Sequence, residues 1–327
     1  MAPRPTLARV ALAAGVSKTT ASYVLNGQKQ MSAETTRRVQ EAARNLGYRL
    51  DAAASSLSRG RSSSIGVLAG ESATTQAIGS PGLFWLRFDD AFVRRCSEQD
   101  LVVSFAGEGR AQSLLDSGID ALVVLGSHRE SVFENLRIPF GLPIVSLDPI
   151  PQYESVQLSH DHAAIADQVC SHLDEQGCTN LAWVAMPGGE RFWDPVAAAL
   201  TKWCKKHRMR FSSHLHDGSV EGIHAAAAAA LDAGADGIFW ALGNPRDVLN
   251  GIENRGKRVP DDVLLIMVSE GLIEQSMTPS VSTLSFEGFG CGEAIADMCA
   301  EVVNLGTRPE LVELPFELVV RESSTRR

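Results

Sequence analysis

Basic side chains that could neutralise phosphate groups are concentrated at the N-terminus of this chain. Between Met1 and Arg61 there are ten Lys and Arg residues and three Asp and Glu residues, a net charge of +7. The remaining residues carry 20 basic and 36 acidic side chains, a net charge of −16. A small basic module on a larger acidic body is typical of nucleic-acid-binding proteins, because phosphate neutralisation supplies much of the affinity. Charge alone leaves a solvated basic face as an alternative, so the order of the residues must decide.

Other clusters of reactive side chains lack the spacing that catalysis or metal binding requires. The segments His160-Asp161-His162 and His214-x-His216 contain metal-ligand residue types, but neither has a second cluster at the usual zinc spacing. The run Gly288-x-Gly290-x-Gly292 lacks the spacing of a dinucleotide-binding loop. The sequence also contains no P-loop, no Gly-x-Ser-x-Gly elbow and no His-Glu-x-x-His motif. We therefore expect no metal, no cofactor and no enzymatic activity.

Length and composition indicate a globular protein that works in a reducing compartment. The 327 residues suffice for two to three domains, and 44% of them are hydrophobic. No run of eighteen apolar residues occurs, which predicts that no segment crosses a membrane. The first residues are too polar for a secretion signal, and the six cysteines include no CxxC pair. We therefore expect a cytoplasmic protein without disulfide bonds.

Three short helices are predicted in the basic segment. Thr6 can cap a helix that ends at Gly15, and Ser17 can cap a second helix that runs to about Asn26. Ser32 can cap a third helix whose apolar side includes Val39. Two short helices joined by a tight glycine turn, followed by a third helix, describe a helix-turn-helix. The second helix of such a motif enters the major groove by its N-terminal residues.

The basic segment resembles the DNA-binding headpiece of the lactose-repressor (LacI/GalR) family. The resemblance rests on the run TLARVALAAGVSKTTASYVLNG followed by MSAETTRRVQEAARNLGY, in which GVSxxTxSxVLN with a downstream Ser-x-x-Thr is specific to the family. The headpiece match covers residues 6–62, and a looser pattern continues through the rest of the chain. The resemblance implies a bacterial-type, nucleoid-associated transcriptional regulator, most simply a repressor. It would bind double-stranded, pseudo-palindromic operator DNA as a homodimer and respond to a small-molecule effector.

The resemblance also assigns roles within the headpiece. Lys18, Thr19 and Tyr23 are expected to contact base edges, and Lys18 can donate to the O6 and N7 atoms of guanine. A second set is expected to contact phosphates and so to position the module without specifying sequence: Thr6, Ser17, Thr20, Ser22, Asn26, Ser32 and Thr35. For Ser17 and Ser32 the alternative is helix capping alone, although a capped N-terminus is itself a phosphate site. Ala21 stands where the family usually has a larger aliphatic residue, which leaves the core slightly underfilled.

A hinge is expected at residues 50–62. Asp51 can cap a helix from Ala52 to about Arg59, and a helix this short should form only on DNA. The resemblance pairs such hinge helices across a dimer in the minor groove, where Leu57 would wedge between base pairs and Ala54 would lie at the close approach. The family usually has Pro-Asn where this chain has Leu50-Asp51. The alternative is a flexible linker without a role on DNA.

The acidic body is predicted to be an α/β structure with parallel sheets. Apolar runs such as Ile65–Ala69, Leu181–Ala185 and Leu264–Val268 alternate with helical stretches, once over residues 65–150 and again over 160–270. The predicted fold class is therefore an all-α helix-turn-helix headpiece with a hinge helix, followed by a two-lobed body of periplasmic-binding-protein type. The expected domains are a headpiece (1–49), a hinge (50–62), an N-terminal lobe (63–158 with 286–315) and a C-terminal lobe (159–285 with 316–327).

An effector site is expected beyond the carboxyl ends of the parallel strands, in the cleft that the resemblance implies between the lobes. The candidate residues follow predicted strands or begin the helices after them: Glu71, Ser127, Asp148, Trp193, Asp194, Asn244 and Glu270. Asp148 matches an acidic residue of the family, whereas Asp194 stands where sugar-binding members have arginine and Ala-Leu-Gly-Asn replaces their Asn-Asp pair. These differences favour a cationic or aromatic-stacking ligand over a standard sugar. They also leave open an effector-independent DNA-binding regulator, and a cytoplasmic solute-binding or carbohydrate-related protein as a further alternative.

Overall fold

The computed structural model describes residues 6–26, 31–46, 48, 63–70, 80–125, 130–146, 150, 153–187, 190–305 and 311–326. The chain forms two compact units. The first comprises Met1–Glu71, Cys96–Gln157 and Ala296–Glu310, and the second comprises Ser72–Arg95, Leu158–Ile295 and Leu311–Arg327. The predicted hinge at 50–62 lies outside the described residues, and the domain boundaries drawn from the sequence stay a prediction.

The N-terminal module consists of three helices, as the sequence predicts. They are α1 (Leu7–Ala14), α2 (Lys18–Leu25) and α3 (Ala33–Asn45). Gly15 ends α1 in the left-handed conformation with φ +63°, which favours glycine because it lacks a Cβ. Val10, Leu25 and Val39, one from each helix, are fully buried and form the centre of a small core.

The first sheet follows the module in the chain. Its strands are β1 (Ser63–Ala69), β2 (Leu101–Gly107), β3 (Ala121–Leu125), β4 (Ile144–Ser146), β5 (Val156–Ser159) and β11 (Leu311–Glu313), in the spatial order β11-β5-β4-β3-β1-β2. The β1–β2, β1–β3, β3–β4 and β4–β5 pairs are parallel. The connecting helices are α4 (Ser80–Glu98), α5 (Ala111–Asp116) and α6 (Glu130–Glu134). Every residue of β3 is buried, as expected for a parallel strand covered on both faces.

The second sheet repeats this pattern within the second unit. Its strands are β6 (Asn180–Ala185), β7 (Arg210–Leu215), β8 (Gly237–Ala241), β9 (Leu264–Val268), β10 (Ser282–Ser285) and β12 (Glu317–Val319), in the order β12-β10-β9-β8-β6-β7. Only β12, among the pairs described, runs antiparallel to its neighbour β10. The helices are α7 (His162–Glu175), α8 (Glu190–His207), α9 (Val220–Asp232), α10 (Pro245–Glu253) and α11 (Gly288–Leu305). Strand β7 therefore forms one edge of this sheet.

Two helices begin earlier than their sequence pattern predicts. The pattern predicts helices over Phe88–Gln99 and Pro195–His207, whereas α4 begins at Ser80 and α8 at Glu190. Proline is expected in the first turn of a helix, where its missing N–H costs no hydrogen bond. Pro195 instead lies five residues inside α8, where the helix continues without that one bond. The helix between β2 and β3, Ala111–Asp116, has only six residues.

The C-terminal segment is part of the core of the second unit. Ser323 and Ser324 are fully buried. The Ser323 hydroxyl donates to the carbonyl oxygen of Leu265 at 2.6 Å and accepts from the amide of Ser282 at 2.8 Å. The Ser324 hydroxyl lies 2.8 Å from Nε2 of His172 on α7. These bonds attach residues 321–325 to strands β9 and β10. The six cysteines are free and buried, as expected for a chain without disulfide bonds.

Candidate functional site

The three helices of the N-terminal module begin with hydroxyl caps. The hydroxyl of Thr6 accepts from the amide of Arg9 at 3.4 Å, that of Ser17 from Thr20 at 3.0 Å, and that of Ser32 from Thr35 at 3.2 Å. The hydroxyls of Ser17 and Thr20 also form a hydrogen bond at 2.8 Å, and so do those of Ser32 and Thr35. A capped helix N-terminus presents the remaining N–H groups and the positive end of the helix dipole, which suits a phosphate group. The capping role of these residues is confirmed.

Arg38, to which the sequence assigned no role, binds the turn between α1 and α2. The Arg38 guanidinium, on α3, donates to the carbonyl oxygens of Ala14 and Gly15 at the C-terminus of α1, the second bond at 3.4 Å. A cation at a helix C-terminus compensates the negative end of the dipole. Since the partners are 23 and 24 residues apart, no local pattern could have indicated this contact. It links α3 to the end of α1, directly before the turn that leads into α2.

Helix α2 presents its first polar residues to the solvent. Lys18 and Thr19 are exposed, and the Tyr23 side chain one turn later is 37% exposed. On the opposite side Ala21 is fully buried in the module core. The amide of Asn26 donates to the carbonyl oxygen of Ser22 at 2.9 Å and to its hydroxyl at 3.0 Å, so this side chain closes the C-terminus of α2. The three residues predicted to contact bases thus lie on the exposed side of α2, opposite the buried Ala21.

Replacing Lys18 by alanine is expected to weaken binding to the preferred DNA site by about 1–3 kcal/mol and to relax the preference at one base pair in each half-site, because a Lys contact to guanine is lost. Binding-site selection followed by fluorescence anisotropy measures both effects. Arg44→Ala, an exposed cation in the last turn of α3, is the matched control and should keep the same preferred sequence. Identical selected sequences for Lys18→Ala and the wild-type protein would reject the base-contacting role.

In the second unit, Trp193 begins an aromatic cluster near the end of β6. Its ring centroid lies 5.8 Å from that of Trp183 and 6.3 Å from that of Phe286, and 9% of the residue is exposed. The neighbouring Asp194 is exposed. Trp193 thus contributes mainly to the core of the second unit.

The loop after β8 has an unusual backbone conformation. Leu242 has φ +63° and Gly243 has φ +116°. Positive φ angles are rare for branched residues such as leucine and concentrate at functional sites. The Asn244 side chain accepts from the amide of Arg246 at 2.9 Å and caps α10. The side-chain oxygen of Asn244, a residue that the sequence predicts for the effector site, is thus engaged in the cap.

The Glu270 carboxylate, which follows β9, is bound within the protein. Its side chain is 3% exposed, and Oε2 accepts from Nη1 of Arg87 at 2.9 Å. Oε1 accepts from the hydroxyl of Ser285 at 3.0 Å, and the amide of Gly288 lies 3.4 Å from Oε2. The Arg87 guanidinium also lies 5.5 Å from the ring centroid of Phe289. Arg87 is 183 residues from Glu270 in the chain, and no sequence signal pointed to it.

The two histidine clusters considered from the sequence do not form a metal site. Among the described residues no group of three His, Cys, Asp or Glu side chains is placed to hold a metal ion. Asp161 caps α7 by accepting from the amides of Ala163 and Ala164 at 2.9 Å. His160 is buried, with its ring 4.5 Å from that of Phe286 and Nδ1 3.2 Å from the carbonyl oxygen of Leu314. Both residues therefore serve the structure of the second unit.

Burial of His160 gives the protein a pH-dependent stability. Burial lowers the pKa of His160 to about 4, below its ordinary value of about 6.5, although the Leu314 carbonyl opposes the shift. The unfolded chain therefore binds a proton at pH 5 that the folded chain does not bind. The free energy of unfolding should consequently fall as the pH is lowered from about 6.5 to about 4. Thermal melts at pH 7 and pH 5 measure this fall.

Replacing His160 by glutamine is expected to reduce the fall in melting temperature between pH 7 and pH 5, because that proton-binding group is absent. His207→Gln, an exposed position in the same unit, is the control and should keep the wild-type fall. An unchanged fall in the His160→Gln protein would assign the pH dependence to other groups.

Comparison with known proteins matches each of these two parts of the chain to a protein family. Residues 6–51 match the family described as bacterial regulatory proteins, lacI family, and residues 170–324 match the periplasmic binding protein-like domain. The chain thus combines a lacI-type DNA-binding module with a periplasmic-binding-like domain. It is therefore a DNA-binding transcriptional regulator with a periplasmic-binding-like body, and the expectation that it is not an enzyme is confirmed. The predicted fold class of three-helix module and parallel α/β body is confirmed as well.

Several bacterial regulators align with almost the whole length of this chain. The regulator CelR of Thermobifida fusca is 24% identical over 340 residues, which cover 98% of each chain. The repressor PurR of Mannheimia succiniciproducens is 24% identical and covers 97% of this chain and 98% of its own. A solved CelR–cellobiose complex superposes with a TM-score of 0.69 at 22% identity over 98% of this chain and the whole of the other. A lac repressor dimer bound to operator and an anti-inducer gives 0.69 at 19% identity over 99% and 100%.

Some residues that the sequence assigned to this regulator's sites lie outside the described residues. These are Ala54 and Leu57 of the hinge and Glu71, Ser127 and Asp148 of the effector site. Of the described effector candidates, Trp193, Asp194, Asn244 and Glu270 all belong to the second unit. No helix among the described residues is long and apolar enough to cross a membrane.

Proposed function

We propose that this chain is a repressor that binds a pseudo-palindromic operator sequence as a homodimer and works in the cytoplasm on the nucleoid. The observation that carries the proposal is the face of α2, where exposed Lys18, Thr19 and Tyr23 lie beside capped helix N-termini in a segment of net charge +7. The names of PurR, a transcriptional repressor, and of the operator-bound lac repressor dimer support it. The domain boundaries predicted from the sequence are part of this proposal.

Within the proposed interface the hydroxyl residues position the module on the DNA backbone. Thr6, Ser17 and Ser32 cap the three helices, and the N-termini of these helices face phosphates. Thr20 and Thr35 take part through their hydroxyl bonds to Ser17 and Ser32. Ser22 and Asn26 bond to each other, so their remaining hydrogen-bonding groups are the ones that contact phosphate. These contacts raise affinity for every sequence, whereas Lys18, Thr19 and Tyr23 select the operator.

The hinge completes the proposed operator complex. Residues 52–59 form a helix on DNA, and two such helices pair so that Leu57 enters the minor groove and Ala54 lies at the close approach. Leu57→Ala should therefore reduce both operator affinity and the DNA bend angle and leave the melting of the body unchanged. A gel assay on circularly permuted operator fragments measures the bend. Normal bending by the Leu57→Ala protein would overturn the hinge proposal.

The proposed effector is a small molecule that binds to the body. The solved CelR complex contains cellobiose. In this chain the accessible edge of Trp193, the exposed carboxylate of Asp194 and the loop after β8 favour a ligand with an aromatic or cationic group. Glu71, Ser127 and Asp148 are proposed to contribute from the other candidate segments. Such a ligand changes operator affinity only as far as its affinities for the two states of the repressor differ.

An effector-independent regulator is the alternative, and one observation favours it. Glu270 is poorly placed to bind a ligand, because its side chain is 3% exposed and its carboxylate already accepts from Arg87, Ser285 and Gly288. Operator affinity measured with and without a panel of metabolites distinguishes the two. A shift that disappears in an Asp194→Ala protein supports the effector. The absence of any shift in the wild-type protein supports the alternative.

Deletion of residues 1–61 tests the DNA-binding function itself. The truncated protein should lose operator binding, because the basic module is absent, while keeping the thermal unfolding of the body. Binding by the full chain should also weaken steeply with salt as counterions are released. Full operator affinity in the truncated protein would contradict the assignment of the module as the DNA-binding part.

A further inference from the structure

A second concentration of basic side chains lies in the second unit, far along the chain from the N-terminal module. Residues 195–216 contain five Lys and Arg residues and no Asp or Glu, although the rest of the body is strongly acidic. They occupy the end of α8 and the start of the edge strand β7. We call this the α8 cationic surface, and its members are Lys202, Lys205, Lys206, Arg208 and Arg210.

All five side chains of the α8 cationic surface are exposed. None of them forms a side-chain hydrogen bond or an ion pair with any residue that the structure describes. Two other exposed arginines of the same unit are paired: Arg94 with Glu293 at 3.0 Å, and Arg258 with Asp261 at 3.5 Å. The positive charge of this surface is therefore uncompensated within the described part of the unit.

The end of α8 is held in place by packing and hydrogen bonding. The Trp203 indole donates to the Asp167 carboxylate on α7 at 3.0 Å. The His207 ring stacks on the Trp203 ring with 3.9 Å between centroids and 4° between planes. Lys202, Lys205 and Lys206 project at i, i+3 and i+4 from this anchored turn and share one face of the helix. The cations are thus presented on a fixed support.

We propose that the α8 cationic surface binds the phosphate backbone of a second DNA duplex, in addition to the duplex bound by the N-terminal module. The helix dipole places about half a negative charge at the C-terminus of α8. The five full positive charges of the surface outweigh it, so the surface attracts anions. No large apolar side chain is exposed over residues 202–210, which carry the five cations, whereas the core of a protein interface needs such residues. The exposed Leu215 lies at the other end of β7. Cationic groups without an apolar centre fit backbone binding without sequence preference.

A bridging assay with the full-length protein tests this. An unlabelled duplex obtained by binding-site selection is fixed to beads and loaded with protein. The amount of a fluorescent 30-base-pair duplex of random sequence that the loaded beads capture is then measured at a series of salt concentrations. The wild-type protein should capture the second duplex at low salt. The K202Q/K205Q/K206Q protein should hold the first duplex equally and capture the second about tenfold less. Its salt slope should fall by about 2 to 3, since each phosphate contact contributes about 0.9.

The matched control is R255Q/K257Q/R258Q, which removes the same charge from three exposed positions of the same unit. It should capture the second duplex as the wild-type protein does. Equal loss in both variants would show an effect of net charge only and would overturn the proposal. Capture of polyglutamate instead of DNA, dependent on the three lysines, would assign the surface to an acidic protein and would also overturn it. If no duplex is retained on the beads, anisotropy with the random duplex compares the K202Q/K205Q/K206Q protein with the R255Q/K257Q/R258Q control, and equal affinities of these two variants would overturn the proposal.

Discussion

Replacing Leu25 by alanine is expected to lower DNA affinity at least a hundredfold. Leu25 is fully buried at the centre of the module core, where Val10 and Val39 meet it. Truncation of a buried leucine costs about 2–5 kcal/mol. A module of some forty residues has little stability to spare. The variant should therefore leave α1–α3 largely unfolded and the face of α2 unformed.

Leu12→Ala is the matched control for this prediction, because Leu12 lies in the same module with 83% of its surface exposed. It should bind DNA with nearly wild-type affinity. Anisotropy on a selected duplex measures affinity, and thermal melting of both variants shows that the body stays folded. Wild-type affinity in Leu25→Ala would mean that DNA binding does not depend on the three-helix core.

The second large effect is expected at Arg87. Replacing it by methionine removes the cationic partner from Glu270, whose carboxylate is 3% exposed and keeps only the bonds from Ser285 and Gly288. Removing one partner of a buried ion pair costs about 3–5 kcal/mol. Since a quarter of the Arg87 side chain is exposed, we expect about 3 kcal/mol, which corresponds to a fall of roughly 6–12 °C in the melting temperature.

Two further variants make this measurement specific. Arg94→Met breaks the Arg94–Glu293 pair from the same helix, α4, but both side chains are about half exposed, so the cost should stay below about 1 kcal/mol. In the R87M/E270Q protein the uncompensated charge is absent, and much of the lost stability should return. Equal melting temperatures for Arg87→Met and Arg94→Met would show that the Arg87–Glu270 pair contributes no more to stability than the exposed Arg94–Glu293 pair.

The features that the sequence predicted correctly depend on neighbours along the chain. Thr6, Ser17 and Ser32 were identified as caps because a capping residue bonds to an amide two or three residues later. Strand β9 was predicted over Leu264–Val268, which are its observed bounds, since buried parallel strands are uninterrupted apolar runs.

The features that were missed depend on residues far apart in the chain. Arg38 reaches a turn 23 residues earlier, and Arg87 reaches Glu270 across 183 residues. Glu270 was therefore selected from the sequence as an open acidic residue, without any sign of the cation beside it. A pattern of residue types shows which side chains follow a strand but not which other side chain has already bound them.

The attachment of residues 317–324 to strands β9 and β10 has a consequence for synthesis on the ribosome. The three-helix module is complete once residue 46 has left the ribosomal exit tunnel, whereas the second unit lacks β12, Ser323 and Ser324 until the last of its described residues emerge. At about 5–20 residues per second, roughly 15–55 s separate these two events. Each newly made chain therefore passes through a period in which its DNA-binding helices can fold and its regulatory body cannot.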